Sequence, residues 1–105
     1  MSFTLIAKRK RLRGVILELL CLNHDKQESR FTSSALWSAA VRGLGFEASK
    51  NDVVTMLQDL KARGYVDYVL RKNDQDGEIR IYNIELCPKG RDLLEGTTED
   101  PAVEL

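Results

Sequence analysis

The sequence predicts a small α+β domain, and three observations lead to that prediction. The 105 residues are 43% hydrophobic and 30% charged, which suits one domain with a modest core. Apolar residues recur with a helical period as far as Gly64, and with a period of two from Tyr65 onward. The dipeptide Asp76-Gly77 interrupts the alternating part and is typical of a hairpin turn. We therefore expect a three-helix core followed by a two-stranded antiparallel hairpin and a short final helix.

The first helix is predicted over residues 5–23, which carry a wide apolar face. Its first half is strongly basic because it contains Lys8, Arg9, Lys10, Arg11 and Arg13. Gly14 costs a helix about 1 kcal/mol relative to alanine, and it indicates a bend or a close contact. The basic run is consistent with a solvated face or with a surface that docks onto phosphate or an acidic partner, and we favour docking.

A polar loop and a shorter second helix are predicted next. Residues 23–29 are polar and include His24, the chain's one histidine. Arg30, Phe31 and Thr32 can form no more than an edge strand. Thr32 or Ser33 is expected to cap a helix over residues 34–41. A glycine-containing connector then leads to the next helix, as in a helix-turn-helix arrangement.

The third helix, residues 49–64, has two contrasting faces. Ser49 followed by Asp52 is a helix-start signal, and Gly64 predicts a left-handed end. The stripe expected to be buried contains Val53, Leu57 and Leu60. The opposite stripe contains Asn51, Thr55, Gln58 and Ala62. Because Lys and Glu are usual on a solvated face, these amide and hydroxyl groups indicate a face that recognises a ligand.

The period-two part predicts strands over residues 65–72 and 78–87, joined by a turn over 73–77. The apolar positions of the second strand shift along its length, so we expect a bulge near Tyr82-Asn83. Pro88 is typical of the first turn of a last helix.

The charges are unevenly distributed along the chain. The net charge is zero, yet residues 92–105 contain five acidic and no basic residues, which leaves residues 1–91 with a net charge of +5. We therefore divide the chain into a domain over residues 1–95 and an acidic, flexible tail over 96–105. A basic body with an acidic tail fits DNA binding without requiring it.

Composition and spacing disfavour several other classes of function. No apolar run approaches the roughly 20 residues of a membrane span, and the N-terminus does not read as a secretion signal. We expect a cytoplasmic protein in which Cys21 and Cys87 are reduced and buried. The run from Asp74 to Glu78 resembles a calcium loop superficially, but isoleucine occupies the position that requires glycine. We expect no metal, no cofactor and no enzymatic activity, since nothing marks a nucleophile for His24 to activate.

Two segments also resemble a known family. They are Leu57-Gln-Asp-Leu60-Lys-Ala-Arg63-Gly64-Tyr65-Val66 and, after a charged hairpin, Ile84-Glu-Leu86-Cys-Pro-Lys89-Gly90-Arg91. With them, residues 12–94 resemble the winged helix-turn-helix domains of small bacterial and phage regulators. Cys87 departs from the family, which often has threonine there, and a thiol is expected to cap the last helix poorly.

The resemblance implies DNA recognition, with helix 49–64 in the major groove and the hairpin, or wing, against the backbone. Asn51 and Gln58 can pair with adenine through two hydrogen bonds, and Thr55 offers a hydroxyl or methyl contact. The cations expected near phosphate are Lys50, which can also reach guanine, Arg42, Arg71, Lys72 and Arg80. The acidic wing tip, Asp74 to Glu78, would repel phosphate.

Our first hypothesis is a sequence-specific double-stranded DNA-binding protein, a small transcriptional regulator that works as a homodimer on two half-sites. Candidate dimer surfaces are the apolar residues Phe3, Leu5 and Ile6, or Leu93 and Leu94. The alternative is a winged-helix protein–protein interaction module that binds no DNA, with the basic first helix against an acidic partner and Trp37 as an anchor. The outer face of the third helix can also be merely solvated.

Overall fold

The computed structural model describes residues 3–25 and 31–105, with side chains over residues 5–22 and 31–105. Its helices are α1 (Phe3–Asp25), α2 (Ser33–Ser38), α3 (Lys50–Ala62) and α4 (Pro88–Leu94). A π-helical turn, Ala39–Gly43, continues α2. The strands β1 (Val66–Lys72) and β2 (Ile79–Leu86) form an antiparallel hairpin. The predicted α+β class and the predicted order of elements are confirmed.

The core lies where α1, α3 and the hairpin meet. Val53, Leu57 and Leu60 of α3 are completely buried, which confirms the predicted stripe. They pack with apolar side chains from every other element, among them Leu12, Ile16, Leu17, Leu20, Leu36, Val66, Ile81, Ile84 and Leu93. Because this stripe of α3 is buried, the opposite stripe of the helix is left at the surface.

The helix α1 is longer than expected, since it continues to Asp25. The predicted helix ended at residue 23, so the prediction of a loop was wrong for His24 and Asp25, whose backbone is helical. No glycine or proline stands in this stretch to interrupt the backbone hydrogen bonds of the helix. The rest of the predicted loop, with Arg30 of the edge strand, lies outside the described residues.

Thr32 caps α2, and Ser33 has another role. The Thr32 hydroxyl accepts a hydrogen bond from the Ala35 N–H at 3.1 Å. The buried Ser33 hydroxyl accepts one from the Ile81 N–H at 3.3 Å, which ties α2 to β2. Phe31 forms one isolated bridge with Ile84, which is the part of the expected edge strand seen among the described residues.

The predicted bulge is present in β2. The register of the hairpin shifts between Asp67 and Val69, and two residues of β2 stand where β1 has one. Asn83 takes up the extra residue with a φ of 53°. Asparagine tolerates this left-handed conformation better than most residues do.

Residues 96–105 differ from the flexible tail that we expected, because they lie against α1. Val103 is only 8% exposed and belongs to the core. The Glu104 N–H donates to the Lys10 carbonyl at 3.0 Å, and the Arg13 guanidinium donates to the Ala102 carbonyl at 3.0 Å. Gly14 allows this approach, since a Cβ there would overlap the Glu104 carbonyl oxygen. Of the two expectations for Gly14, the close contact is the one observed.

Candidate nucleic-acid interface

Both ends of α3 are fixed by local hydrogen bonds, as the sequence predicts. The Ser49 hydroxyl accepts from the Asp52 N–H at 3.0 Å, and the Asp52 carboxylate accepts from the Ser49 N–H at 2.9 Å, which completes a capping box. At the other end Gly64 has a φ of 83°, and the Tyr65 N–H donates to the Leu60 carbonyl. The first turns of α3 are therefore held rigidly at the surface.

The amide and hydroxyl stripe of α3 faces outward. Asn51, Thr55 and Gln58 are all exposed. The Thr55 hydroxyl donates to the Asn51 backbone carbonyl at 2.9 Å, so it presents its methyl group and an acceptor oxygen but no free proton. Within residues 5–22 and 31–105, the amide groups of Asn51 and Gln58 have no hydrogen-bond partner. They remain available to a ligand.

A cleft separates the first turns of α3 from those of α1. On the α3 side it is lined by Asn51 and Thr55, and on the α1 side by Lys8 and Arg9. The sequence alone does not distinguish these two cations from the other members of the basic run, Lys10, Arg11 and Arg13. The helical period places positions 5, 8, 9 and 12 of α1 on one face, but only the packing of α1 on α3 brings that face beside the stripe.

A second cleft lies on the other flank of α3, between α2 and β2. Lys50 and Arg80 both line it, together with hydroxyl groups of α2 and with Glu78. The Lys50 ammonium lies 5.2 Å from the centre of the Trp37 ring, and the Trp37 indole N–H donates to the Ala48 carbonyl at 2.7 Å. Trp37 thus contacts both the connector before α3, through Ala48, and Lys50 at the start of α3.

The predicted cations of the hairpin are exposed. Arg71 stands directly across the two strands from Arg80, and Lys72 stands across from Ile79. The hydrogen bond to Tyr82 and the nearby Glu78 carboxylate, 3.6 Å away, raise the pKa of Arg80. Two like charges directly opposite each other are unfavourable, so an anion between them would relieve repulsion.

Two other predicted features lie apart from these clefts. Arg42 is exposed at the end of the π-helical turn and lines neither cleft. At the wing tip Asp74 and Asp76 are exposed, and the Asp76 carboxylate accepts from the Glu78 N–H at 2.8 Å. The negative charge of the tip is turned to solvent.

The remaining cations of α1 face the C-terminal segment, residues 96–105. Arg11 and Arg13 donate to its backbone carbonyls. Arg13 also bonds to Asp59 of α3 at 2.7 Å, and Arg63 bonds to the same oxygen at 2.8 Å. The basic run of α1 is therefore divided, with Lys8 and Arg9 beside α3 and the others against the C-terminal segment.

Asp100 anchors that segment through a short hydrogen bond. The Tyr65 hydroxyl donates to the Asp100 carboxylate at 2.5 Å, and the Arg63 guanidinium lies 3.4 Å from the same oxygen. The bond from Tyr65 lowers the pKa of Asp100, while burial and the Asp100 carboxylate raise the pKa of Tyr65 to about 12. These groups have structural partners and are not free for a ligand.

The other candidate residues have simpler surroundings. Leu93 is buried, so this candidate dimer contact belongs to the core, where α4 packs on α1. The side chain of Phe3 lies outside the described part. Neither Cys21 nor Cys87 forms a disulfide within the described residues, and both are half-buried rather than fully buried. Burial raises the pKa of the Cys87 thiol, and this thiol makes no capping hydrogen bond to α4, as expected.

None of the helices within residues 3–25 and 31–105 is long and apolar enough to cross a membrane. The chain matches no protein-family model and no curated protein sequence. The surfaces around α3 are therefore the features of the molecule that bear on its function.

Proposed function

We propose that the chain is a winged helix-turn-helix protein that binds double-stranded DNA, with α3 in the major groove and the β1–β2 hairpin as the wing. The order of helices, hairpin and final helix is compatible with this layout. The observation that carries the proposal is the stripe of Asn51, Thr55 and Gln58, which is exposed and has a pair of cations on each flank.

Each part of this surface suits a different part of DNA. An asparagine or glutamine amide can donate to and accept from adenine at once, and a threonine methyl group can contact thymine. The flanking cations, Lys8 with Arg9 and Lys50 with Arg80, would meet phosphates on either side of the groove. Because one helix contacts few base pairs, we propose that two copies bind two half-sites and act as a transcriptional regulator.

The test measures binding of the full chain to mixed double-stranded DNA by fluorescence anisotropy at low and high salt. We expect binding at low salt that weakens as the salt concentration rises. Asn51→Ala with Gln58→Ala should reduce discrimination among sequences selected from the mixture, by about 1–3 kcal/mol for each lost base contact. Lys50→Ala should instead weaken binding to all sequences alike.

Lys89→Ala is the matched control for Lys50→Ala. Lys89 lies on α4 beside Tyr65, near the far end of α3, with its ammonium 5.5 Å from the ring centre. It carries the same charge away from both clefts, so its removal should leave DNA affinity unchanged. No binding even at low salt would overturn the proposal.

A protein-interaction module of the same layout is the second candidate. Leu70 and Ile79 share one face of the hairpin and are 43% and 36% exposed, Val69 is 44% exposed on the opposite face, and the tip is acidic. An exposed apolar patch with a polar rim is typical of a protein contact. A partner that is retained after nuclease treatment, and lost with Leu70→Ser plus Ile79→Ser, would favour this function over DNA binding.

A further inference from the structure

The cleft between α1 and α3 has an apolar floor beneath its polar mouth. Leu12 and Met56 form the buried part, at 3% and 5% exposed, and Leu5 forms a wall that is 39% exposed. The cleft has a volume of about 170 Å³. A cavity of about 150 Å³ lined by apolar side chains is large enough to hold benzene. The cleft can therefore take the body of a small organic molecule.

The charge at the mouth of the cleft is positive. Lys8 and Arg9 line the mouth, and neither has an ion-pair partner among the residues that the structure describes. Asp52 is the one carboxylate among the described residues that line the cleft, and it accepts a hydrogen bond from the Ser49 N–H. An anion that enters the cleft would thus meet two cations and a carboxylate that is already bonded.

We propose that this cleft binds a small amphipathic carboxylate, an anion with an aromatic or short hydrocarbon body about the size of benzoate. The carboxylate pairs with Lys8 and Arg9 at the mouth, and Arg9 can offer it two parallel N–H groups. The body packs on Leu12 and Met56, where each buried carbon is removed from water. Inorganic phosphate matches the charge but leaves the apolar floor unused, so a carboxylate with a hydrocarbon body fits the cleft better.

Because the cleft adjoins the stripe of α3, a bound carboxylate is expected to compete with DNA. This step rests on the proposed DNA-binding function. Asn51 and Thr55, which form the rim on the α3 side, belong to the stripe proposed to contact bases. Lys8 and Arg9 are the cations proposed to contact phosphate. A bound carboxylate neutralises these cations and stands beside the stripe, so it competes with DNA.

The experiment titrates the full chain with sodium benzoate, without DNA, and follows the backbone amides by two-dimensional NMR. We expect saturable shifts confined to residues 5–12 and 51–56. A ligand of about nine non-hydrogen atoms should bind with a Kd of about 1 mM. Benzyl alcohol, which lacks the charge, and inorganic phosphate, which lacks the apolar body, should both bind more weakly.

Two variants test the cations. Lys8→Gln with Arg9→Gln should weaken benzoate binding about tenfold or more, because charge-assisted hydrogen bonds are lost. Lys10→Gln is the control, since Lys10 is on the same helix but lines the groove beside Val103 and Glu104. The NMR spectra also show whether each variant is folded.

The proposal is overturned if benzoate shifts no amide around the cleft, if phosphate binds as tightly as benzoate, or if Lys10→Gln weakens binding as much as the double variant. Benzoate binding by a chain that binds no DNA would leave the cleft assigned and would remove the proposed function. Benzoate binding that leaves DNA affinity unchanged would remove the competition alone.

Discussion

Gly14 is the residue whose replacement has the clearest consequence for the fold. In most helix interiors glycine to alanine stabilises a protein by about 0.5–1 kcal/mol. At this position the added Cβ would overlap the Glu104 carbonyl, so α1 and the C-terminal segment could not both keep their places. We expect Gly14→Ala to lower the free energy of unfolding by about 1–3 kcal/mol, as overpacking does. Chemical denaturation measures the change.

Two controls isolate the cause of that loss. Gly43→Ala adds the same methyl group where nothing lies within 4 Å, and it should leave stability nearly unchanged. In a chain without residues 99–105 the obstacle is gone, so Gly14→Ala should become neutral or stabilising there. Equal destabilisation with and without the segment would show that the clash is not the cause.

Tyr65 predicts a pH dependence at the alkaline end. Its pKa rises from 10 in the unfolded chain to about 12 in the folded one, because the hydroxyl is buried and donates to Asp100. The folded chain holds this proton more tightly, so the contribution to stability is complete below pH 10 and is lost as the pH rises towards 12. Denaturation curves across this range should show a steeper loss for the natural chain than for Tyr65→Phe. Parallel curves would contradict the assignment.

At the scale of elements, the features that the sequence predicted correctly are those set by nearby residues. The capping box at Ser49 and the left-handed Gly64 need only groups within a few positions, and both are observed. The bulge at Asn83 was also predictable, since the apolar pattern of β2 changes phase there. Local hydrogen-bond chemistry and periodicity are sufficient for such features.

Features that depend on packing between distant segments were not predictable. Val103 is one of three apolar residues, with Ala102 and Leu105, in an acidic stretch, and no period marks it as a core residue, yet it is buried. Lys8 and Arg9 could not be assigned to α3, because a basic run does not reveal which face lies beside another helix. The hydrogen bond from the Thr55 hydroxyl to the Asn51 carbonyl is likewise seen only in the folded helix.

Asp59 is the residue through which α1 and α3 are joined by charge. One of its oxygens accepts from both Arg13 and Arg63, whose side chains are 14% and 35% exposed. Asp59→Asn would leave the Arg13 guanidinium without its anion and Arg63 with Asp100 alone, and we expect a loss of about 1–2 kcal/mol in the free energy of unfolding. Denaturation in low salt measures it, and high salt should reduce the difference.

Asp67→Asn is the matched control for this change. Asp67 pairs with Lys61 at 3.3 Å, but both side chains are about half exposed, so water already solvates the pair. We expect no measurable change in stability. If both substitutions had the same effect, the position of Asp59 between the two helices would not matter.

At the scale of the whole molecule, the net charge of zero is the sum of a basic surface around α3 and an acidic C-terminal segment. The acidic segment after residue 91 includes Asp100, whose carboxylate accepts from Arg63. It also includes Glu104, whose backbone carbonyl accepts from Arg11 of α1. Lys8, Arg9 and Lys50, around α3, form no ion pair with that segment within the described residues, and Arg80 pairs only with Glu78 of the hairpin. A protein without net charge can therefore still attract an anion on one side, at distances shorter than the screening length of about 10 Å.

That division predicts the salt dependence of DNA binding. Each phosphate neutralised by a cation contributes about −0.9 to the slope of log K against log salt concentration, so the four cations Lys8, Arg9, Lys50 and Arg80 predict about −4 for each bound chain. Lys8→Gln with Arg9→Gln should reduce the slope by about 2, whereas Lys89→Gln should leave it unchanged. Asn51→Ala with Gln58→Ala should lower discrimination among sequences at an unaltered slope, because amides release no counterions. A slope that stays the same without Lys8 and Arg9 would show that α1 does not contact DNA, and α3 would then have to bind through the hairpin side alone.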